Sequence, residues 1–348
     1  MNSTKRIFAF DYLRILACFG VILLHASAKF WYILPVTSGE WLIANAVNIT
    51  TRISVPLFVM ISGALFLDPS KKLSTKELWL KHILRMALIY LIWMTAYALP
   101  HFIQTSPAER NIKDLLKSIL SGRYHLWFLP MLMGLYALIP ILRTWISHAG
   151  KKEIEYFLLL FFLFQIMRTS LKSFLKTPEL ISFLDRFEWQ MICGYIGYFI
   201  LGYYLFHIGL SVQWIRFFLC GLPFFYLGNV VISSIQARIL EQTQAMFTDS
   251  FGVLTFFTTI SIYILFTKKR SAKAPVPFFR KLILCISQST FGIYLMHLMI
   301  MESPFINPVF EVSPMILAIF TVSILTFLIS LVISALLKKI PWIGHYIC

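Results

Sequence analysis

The sequence predicts an all-α, polytopic membrane protein, with about ten transmembrane helices in one bundle and both termini in the cytoplasm. Three observations predict it. Of 348 residues, 59% are hydrophobic and only 13% charged, with a mean hydropathy of +0.78, more apolar sequence than a soluble core of this size needs. The apolar residues form runs near twenty long without period-two alternation. Inside a bilayer that pattern leaves helices rather than a barrel, because each segment must satisfy its own backbone polar groups. Lysine and arginine gather on alternate loops, the asymmetry that orients membrane helices.

Ten spans follow, at about 8–30, 46–67, 79–100, 126–146, 154–170, 191–210, 215–235, 250–267, 282–301 and 315–337. The fifth is the shortest. With the N-terminus inside, the even loops carry Lys71, Lys72, Lys76, Lys81, Arg143, Lys151, Lys152, Arg216, Lys268, Lys269, Arg270, Lys273, Arg280 and Lys281. Lys5, Arg6, Lys338 and Lys339 join that side, and the positive-inside rule places both termini in the cytoplasm. The net charge of +16 is therefore topological, and membrane lipid rather than nucleic acid is the expected environment. The outward loops 101–125 and 171–190 contain apolar-periodic pieces, such as residues 111–120, that predict short interfacial helices. No linker, low-complexity tract or internal repeat divides residues 1–348, so one membrane domain is expected, and an inverted-repeat transporter is disfavoured.

Cys18, Cys193, Cys220, Cys285 and Cys348 are scattered and read as small buried hydrophobes rather than a disulfide framework or metal site. Lys5, Arg6, the first apolar run and Ala26-Ser27-Ala28 can also be read as a signal peptide with its cleavage site. Asp11 and Arg14 interrupt that run and count against cleavage.

The first span holds the chemistry-bearing stripe. Ionisable groups within a membrane span cost about 2.5–3.5 kcal/mol each on insertion scales and mark functional sites by default. Arg14 and His25 are eleven residues apart, nearly a whole number of helical turns, so they share a face about 16 Å apart along the axis. Asp11 lies one turn before Arg14 and is positioned to pair with it. Arg52 falls a few residues inside the outer end of the second span, where snorkelling to the interface competes with a functional role. Gly63, near the inner end, suits close helix packing. Arg85 lies one turn below Lys81, as an inner-edge anchor would. Yet Arg14, Arg52 and Arg85 face a single intramembrane acid, Asp11, and surplus guanidinium is a receptor for phosphate oxygens. His125 and Trp127 lead into the fourth span and His297 lies deep in the ninth. Such residues often belong to the interfacial belt. His82, His101, His148 and His345 sit at edges and carry no assignment, and His207 reads as interfacial. No histidine pair has metal-site spacing, and neither a Gly-rich phosphate loop nor a GxSxG elbow is present. By elimination His25, a group that titrates near neutrality on a rigid span, is the best acid-base or nucleophilic candidate.

These segments together resemble the acyltransferase-3 family of integral membrane acyltransferases. The carriers are Arg14 and His25, the RISVPLFVMISG segment at 52–63, Arg85, HLWFLP at 125–130 and STFGIYLMH at 289–297. Within the family the likeness is closest to surface-polysaccharide O-acetyltransferases, including those acting on enterobacterial common antigen, and the FEW triplet at 187–189 belongs to it. The resemblance implies a multi-pass protein of the bacterial inner membrane. It would move an acetyl or other short acyl group from coenzyme A to a sugar hydroxyl of a cell-surface or lipid-linked glycan, with no permanently bound cofactor and no metal. It implies His25 and Arg14 as the catalytic pair, His25 as general base and Arg14 as donor-phosphate or site-organising residue. Asp11, Arg52, Arg85, His125, Trp127 and His297 are the substrate-binding candidates. The rival reading is a transporter or exporter of a lipid-linked glycan, in which the charged stripe lines a path and no covalent chemistry occurs. Broken helices would favour it.

Overall fold

The computed structural model describes residues 6–105, 111–174, 179, 182, 194–243, 249–268, 276–341 and 344. Its helices in chain order are α1 (Phe8–Ile33), α2 (Gly39–Phe66), α3 (Thr75–Gln104), α4 (Ile112–Ser121), α5 (Tyr124–Ala137), α6 (Ile139–His148), α7 (Lys151–Ser173), α8 (Tyr195–Ile208), α9 (Val212–Leu240), α10 (Val253–Thr267), α11 (Phe279–Met301), α12 (Val309–Val312) and α13 (Met315–Leu337). Among the described residues there is no strand. The chain is an all-α, multi-pass membrane protein. Among the described residues seven helices, α1, α2, α3, α7, α9, α11 and α13, are long and apolar enough to cross a bilayer, and α5 with α6, bent by 47°, makes an eighth if the pair is one span. The helices at the expected sixth and eighth spans, α8 and α10, are shorter apolar helices.

The breaks have local causes. Pro140 has no N–H to donate to the carbonyl four residues back, and α6 restarts at Ile139 just before it. In α2 the helix loosens at residues 52 and 53, where Pro56 likewise leaves the Arg52 carbonyl without its helical donor. The start of α2 is set by Ser38, whose hydroxyl accepts from the Trp41 amide at 3.0 Å, a capping bond typically worth about 1 kcal/mol. This start corrects the expected second span. The helix begins at Gly39 rather than near 46, so Arg52 lies mid-span and not at an outer end. The polar residues Asn45, Asn48 and Thr51 of this first half of α2 are buried inside the bundle.

α1 is the hub, packing against both halves of α2 and against α10, α11 and α13. More than half of α1, α2 and α11 is buried, against 22% of α7 and of α9, which form the flank. One apolar cluster joins Leu13, Leu57, Met60, Phe161, Tyr198 and Leu295. A second, from Cys18, Ile22, Ala26, Ile293 and Val322, locks α1 to α11 and α13. Gly63 and Gly202 let α2 and α8 touch through their backbones, because a Cβ at either would overlap the carbonyl of Phe199 or Met60. That close approach is the packing role expected of Gly63. The helix expected at 111–120 is α4, capped by the Asn111 side chain accepting from Lys113 N at 2.9 Å, with no buried residue. One expectation about cysteines fails in part. Cys18 is buried, but Cys220 and Cys285 are exposed on the outside of the bundle, where lipid accepts a thiol as readily as a core does. Cys193, Cys348, His345 and the FEW triplet at 187–189 lie outside the described residues.

Candidate active site

α1 presents Arg14 and His25 toward α5 at the two ends of that helix. The His25 ring lies 5.5 Å from the Tyr124 ring at the start of α5. Arg14 has Tyr136, near the end of α5, as its electrostatic neighbour. At 1.5 Å rise per residue, the two levels are about 16 Å apart. Arg14 and His25 therefore share one side of α1 at two depths.

At the first level Asp11 is nearly inaccessible and holds more cations than the sequence suggests. Arg6 donates to it through Nε at 2.9 Å and Nη2 at 2.8 Å, and Ser287 Oγ donates at 2.6 Å. Arg14 stands off at 3.8 Å with its side chain 33% exposed. The expected Asp11–Arg14 pair thus forms only loosely, because Arg6 folds back and takes the two-toothed position that suits a guanidinium and a carboxylate. Tyr136 hydrogen-bonds Ser62 nearby and stacks obliquely on Phe66 at 4.6 Å. Phe66 in turn meets His82 at 5.2 Å, one turn from Arg85 on α3. Arg85 therefore belongs to this level.

At the second level three histidines converge. The His25 and His297 rings stack at 5.2 Å, and His125 meets His297 edge-on at 5.0 Å. The sequence placed His125 at the entry to the fourth span and His297 deep in the ninth, and the fold brings both to the level of His25. His297 Nδ1 lies 2.6 Å from the Tyr294 carbonyl. A carbonyl only accepts, so the proton sits on Nδ1, and in the neutral ring Nε2 keeps a lone pair. That Nε2 is buried without a protein partner, as is His125 Nδ1. Tyr97 inserts its hydroxyl into the α11 ladder here, donating to Leu295 O at 2.9 Å and accepting from Met299 N at 3.2 Å. Tyr294 OH donates to the His125 carbonyl at 2.5 Å. These bonds fasten α3, α5 and α11 around the imidazoles. Among the described residues, no group of three or more His, Cys, Asp or Glu is arranged to hold a metal ion.

His25 opens onto a cavity of about 710 Å³, whose walls also include Lys29, Tyr32, Arg52, Tyr124, Glu302, Asn307 and Phe310. Its mouth lies where α1 and α11 end. Arg52 reaches it from the middle of α2, positioned by a buried chain. Its Nε and Nη2 donate to Asn48 Oδ1 at 3.0 and 2.8 Å, and Asn48 Nδ2 donates to Ser27 Oγ at 3.2 Å. The guanidinium lies 5.6 Å from the Trp31 ring centre. Trp31 is held by Asn45 Oδ1 at 2.9 Å, and Asn45 by Ser233 and Ser234 of α9 at 3.0 Å each. At the mouth Arg123 pairs with Glu302. Burial alone would lower the Arg123 guanidinium, but the Glu302 carboxylate reverses this and holds it above its ordinary value.

The expected site residues thus divide. His25, Arg52, His125 and His297 gather at one level, and Asp11, Arg14 and Arg85 at the other. Trp127 does neither: it is 46% exposed and packs on Tyr195 at 5.6 Å, beside the cavity rather than in its wall. Sequence reasoning missed Lys29, Asn48, Tyr97 and Tyr124. Asn48 and Lys29 were detectable as polar residues one turn from Arg52 and His25 respectively; nothing local marked the two tyrosines.

A family model described as an acyltransferase domain, of the acyltransferase-3 family, matches residues 7–335. No curated protein and no solved structure shows a significant match to the chain.

Proposed function

This chain belongs to the acyltransferase-3 family, and we propose that it moves an acetyl or other short acyl group from coenzyme A to a sugar hydroxyl of a surface or lipid-linked glycan. In this reading residues 1–348 form one membrane domain of an enzyme of the bacterial inner membrane, related to the surface-polysaccharide O-acetyltransferases, with both termini of the domain cytoplasmic. The observation that carries the reading is the pairing of two levels on α1. An imidazole opens onto a cavity large enough for a sugar, and a partly exposed guanidinium lies about 16 Å away on the same side. Coenzyme A has the same plan, with phosphates at one end, a thioester at the other and an extended arm between.

Arg14, with Arg85 at the same level, takes the donor phosphates from the cytoplasmic side, and the thioester reaches His25. The acceptor enters through the cavity from the other face. His25 removes the proton as the sugar oxygen attacks the thioester carbon. The tetrahedral intermediate collapses with cleavage of the C–S bond, and the thiolate leaves, recovering the proton from the imidazolium. General-base assistance of this kind is typically worth about 10²–10⁴-fold. Arg52 contributes a cation to the wall where the acceptor lies, His297 packs against the His25 ring, and His125 packs against His297. An acyl-histidine intermediate is the less economical route, because a hydroxyl can reach the same carbon directly.

The transport reading draws on one feature, the 47° bend between α5 and α6. Both readings meet one test. Purified protein in lipid nanodiscs is given labelled acetyl-CoA and the glycans of cells lacking the gene. Acyl transfer predicts label in an O-ester on the glycan, located by mass spectrometry, and its loss in a correctly inserted His25→Ala variant. Wild-type transfer by that variant removes His25 from the chemistry, and no labelled glycan with the wild-type protein leaves transport standing.

A further inference from the structure

The cavity beside His25 has a charge balance that acyl transfer alone does not require. Two cations line it, Lys29 and Arg52, and each is hydrogen-bonded to a neutral oxygen. Lys29 Nζ donates to Asn307 Oδ1 at 3.0 Å and sits 4.3 Å from the Phe310 ring centre. Arg52 donates to Asn48 Oδ1 and lies against the Trp31 face. Among the described residues neither has a carboxylate within ion-pair distance. Asp249 acts on Arg52 only at longer range, and its own Oδ1 accepts from Ser250 N at 2.6 Å. The one acid among the described wall residues, Glu302, is engaged by Arg123. The cavity therefore carries two positive charges held in place by amides and ring faces, an arrangement that orients a cation without neutralising it.

The spacing says what the charges face. His25 and Lys29 are four residues apart on α1, one above the other on the same side and about 6 Å apart along the axis. With the thioester at His25, the phosphates of coenzyme A lie a full extended arm away, so they do not reach Lys29. A group within one sugar of the reacting hydroxyl does. Tyr32, Tyr124 and Phe310 supply ring faces of the kind that pack against sugar rings.

We infer that this cavity recognises an acidic group on the acceptor, a carboxylate or phosphate monoester within about one sugar of the acylated hydroxyl, with Lys29 and Arg52 as its contacts. The inference rests on the acyl-transfer reading above and deepens it by naming the acceptor class.

The test uses full-length protein in nanodiscs, labelled acetyl-CoA and glycans from cells lacking the gene in three pools. One pool is untreated. One has its carboxyl groups reduced to alcohols, and one is treated with a phosphomonoesterase. The expected result is at least a tenfold fall in transfer with one treated pool, and which pool falls identifies the acid. Lys29→Gln should raise KM for the untreated pool about tenfold, and Lys29→Arg should restore it. Equal labelling of all three pools, or a wild-type KM in a monodisperse Lys29→Gln protein, overturns the inference while leaving acyl transfer intact. Absence of label in every pool instead overturns acyl transfer, and the inference with it.

Discussion

Replacing Asn48 with leucine isolates the bond chain that holds Arg52 in the cavity wall. Asn48 touches neither His25 nor the cavity, yet its Oδ1 accepts both guanidinium bonds, at 3.0 and 2.8 Å, and its Nδ2 donates to Ser27 at 3.2 Å. Leucine keeps the branched four-heavy-atom outline with somewhat more bulk, and the hydrogen bonds are deleted. Bonds to a charged group contribute about 1.5–3 kcal/mol each. One guanidinium edge faces the cavity, where water can replace part of the loss, so a net cost near 3 kcal/mol is expected. If Arg52 contributes to the transition state through this placement, that cost converts at 1.36 kcal/mol per decade to roughly a 10²-fold fall in kcat/KM. Ser27 keeps its bond to Leu24 O at 3.0 Å, so α1 itself should hold. The assay is the initial rate of labelled acetyl transfer against acceptor concentration, alongside size-exclusion profile and thermal midpoint. A monodisperse Asn48→Leu protein within threefold of wild-type kcat/KM refutes the positioning argument, above all if Arg52→Ala has lost a hundredfold or more.

Three further outcomes follow from other contacts. Arg14→Lys keeps the charge and loses the planar fork, so KM for acetyl-CoA should rise tenfold or more in a protein that still inserts; an unchanged KM removes Arg14 from donor binding. Gly202→Val places a side chain on the Met60 carbonyl and forces α2 from α8, an overpacking cost of about 1–3 kcal/mol. It should lower the thermal midpoint, and a midpoint equal to wild type contradicts the backbone contact. Tyr97→Phe deletes the hydroxyl between Leu295 O and Met299 N, letting the α11 ladder close beside His297. A fall in kcat of about tenfold at constant acetyl-CoA KM is expected, and unaltered kcat means that the opened turn has no bearing on catalysis.

The helical membrane architecture was legible because it rests on composition and period, which neighbouring helices cannot alter. The α1 stripe was legible for a related reason. Within one helix, spacing alone settles which residues share a face, so Arg14 and His25 needed no knowledge of the fold. What failed was whatever depends on a second helix. Asn45 and Asn48 drew no assignment because their partners, Trp31, Ser27, Arg52, Ser233 and Ser234, come together only when α1, α2 and α9 pack. The apparent boundary near residue 46 was in fact a buried polar seam. Asp11 was assigned to its helical neighbour Arg14, whereas Arg6 precedes the helix and is free of its periodicity. His125 and His297 were ambiguous for the same reason: nothing in either segment reveals that α5 and α11 close on His25.

That contrast bears on how the site is built. The two groups on α1 have a fixed separation, because a helix is rigid along its axis at 1.5 Å per residue, and the other contributors are brought to them by packing. Arg52 is held at the cavity wall by Asn48, one turn earlier on α2, and Tyr97 inserts into one turn of α11 beside His297. Helix α1 therefore acts as the ruler, and the irregular turns of α2 and α11 adjust the wall around it. In the acyl-transfer reading proposed above, a change of acceptor would be accommodated at Lys29, Asn307 and Phe310, near the helix ends, while the donor-to-base distance along α1 would stay constant.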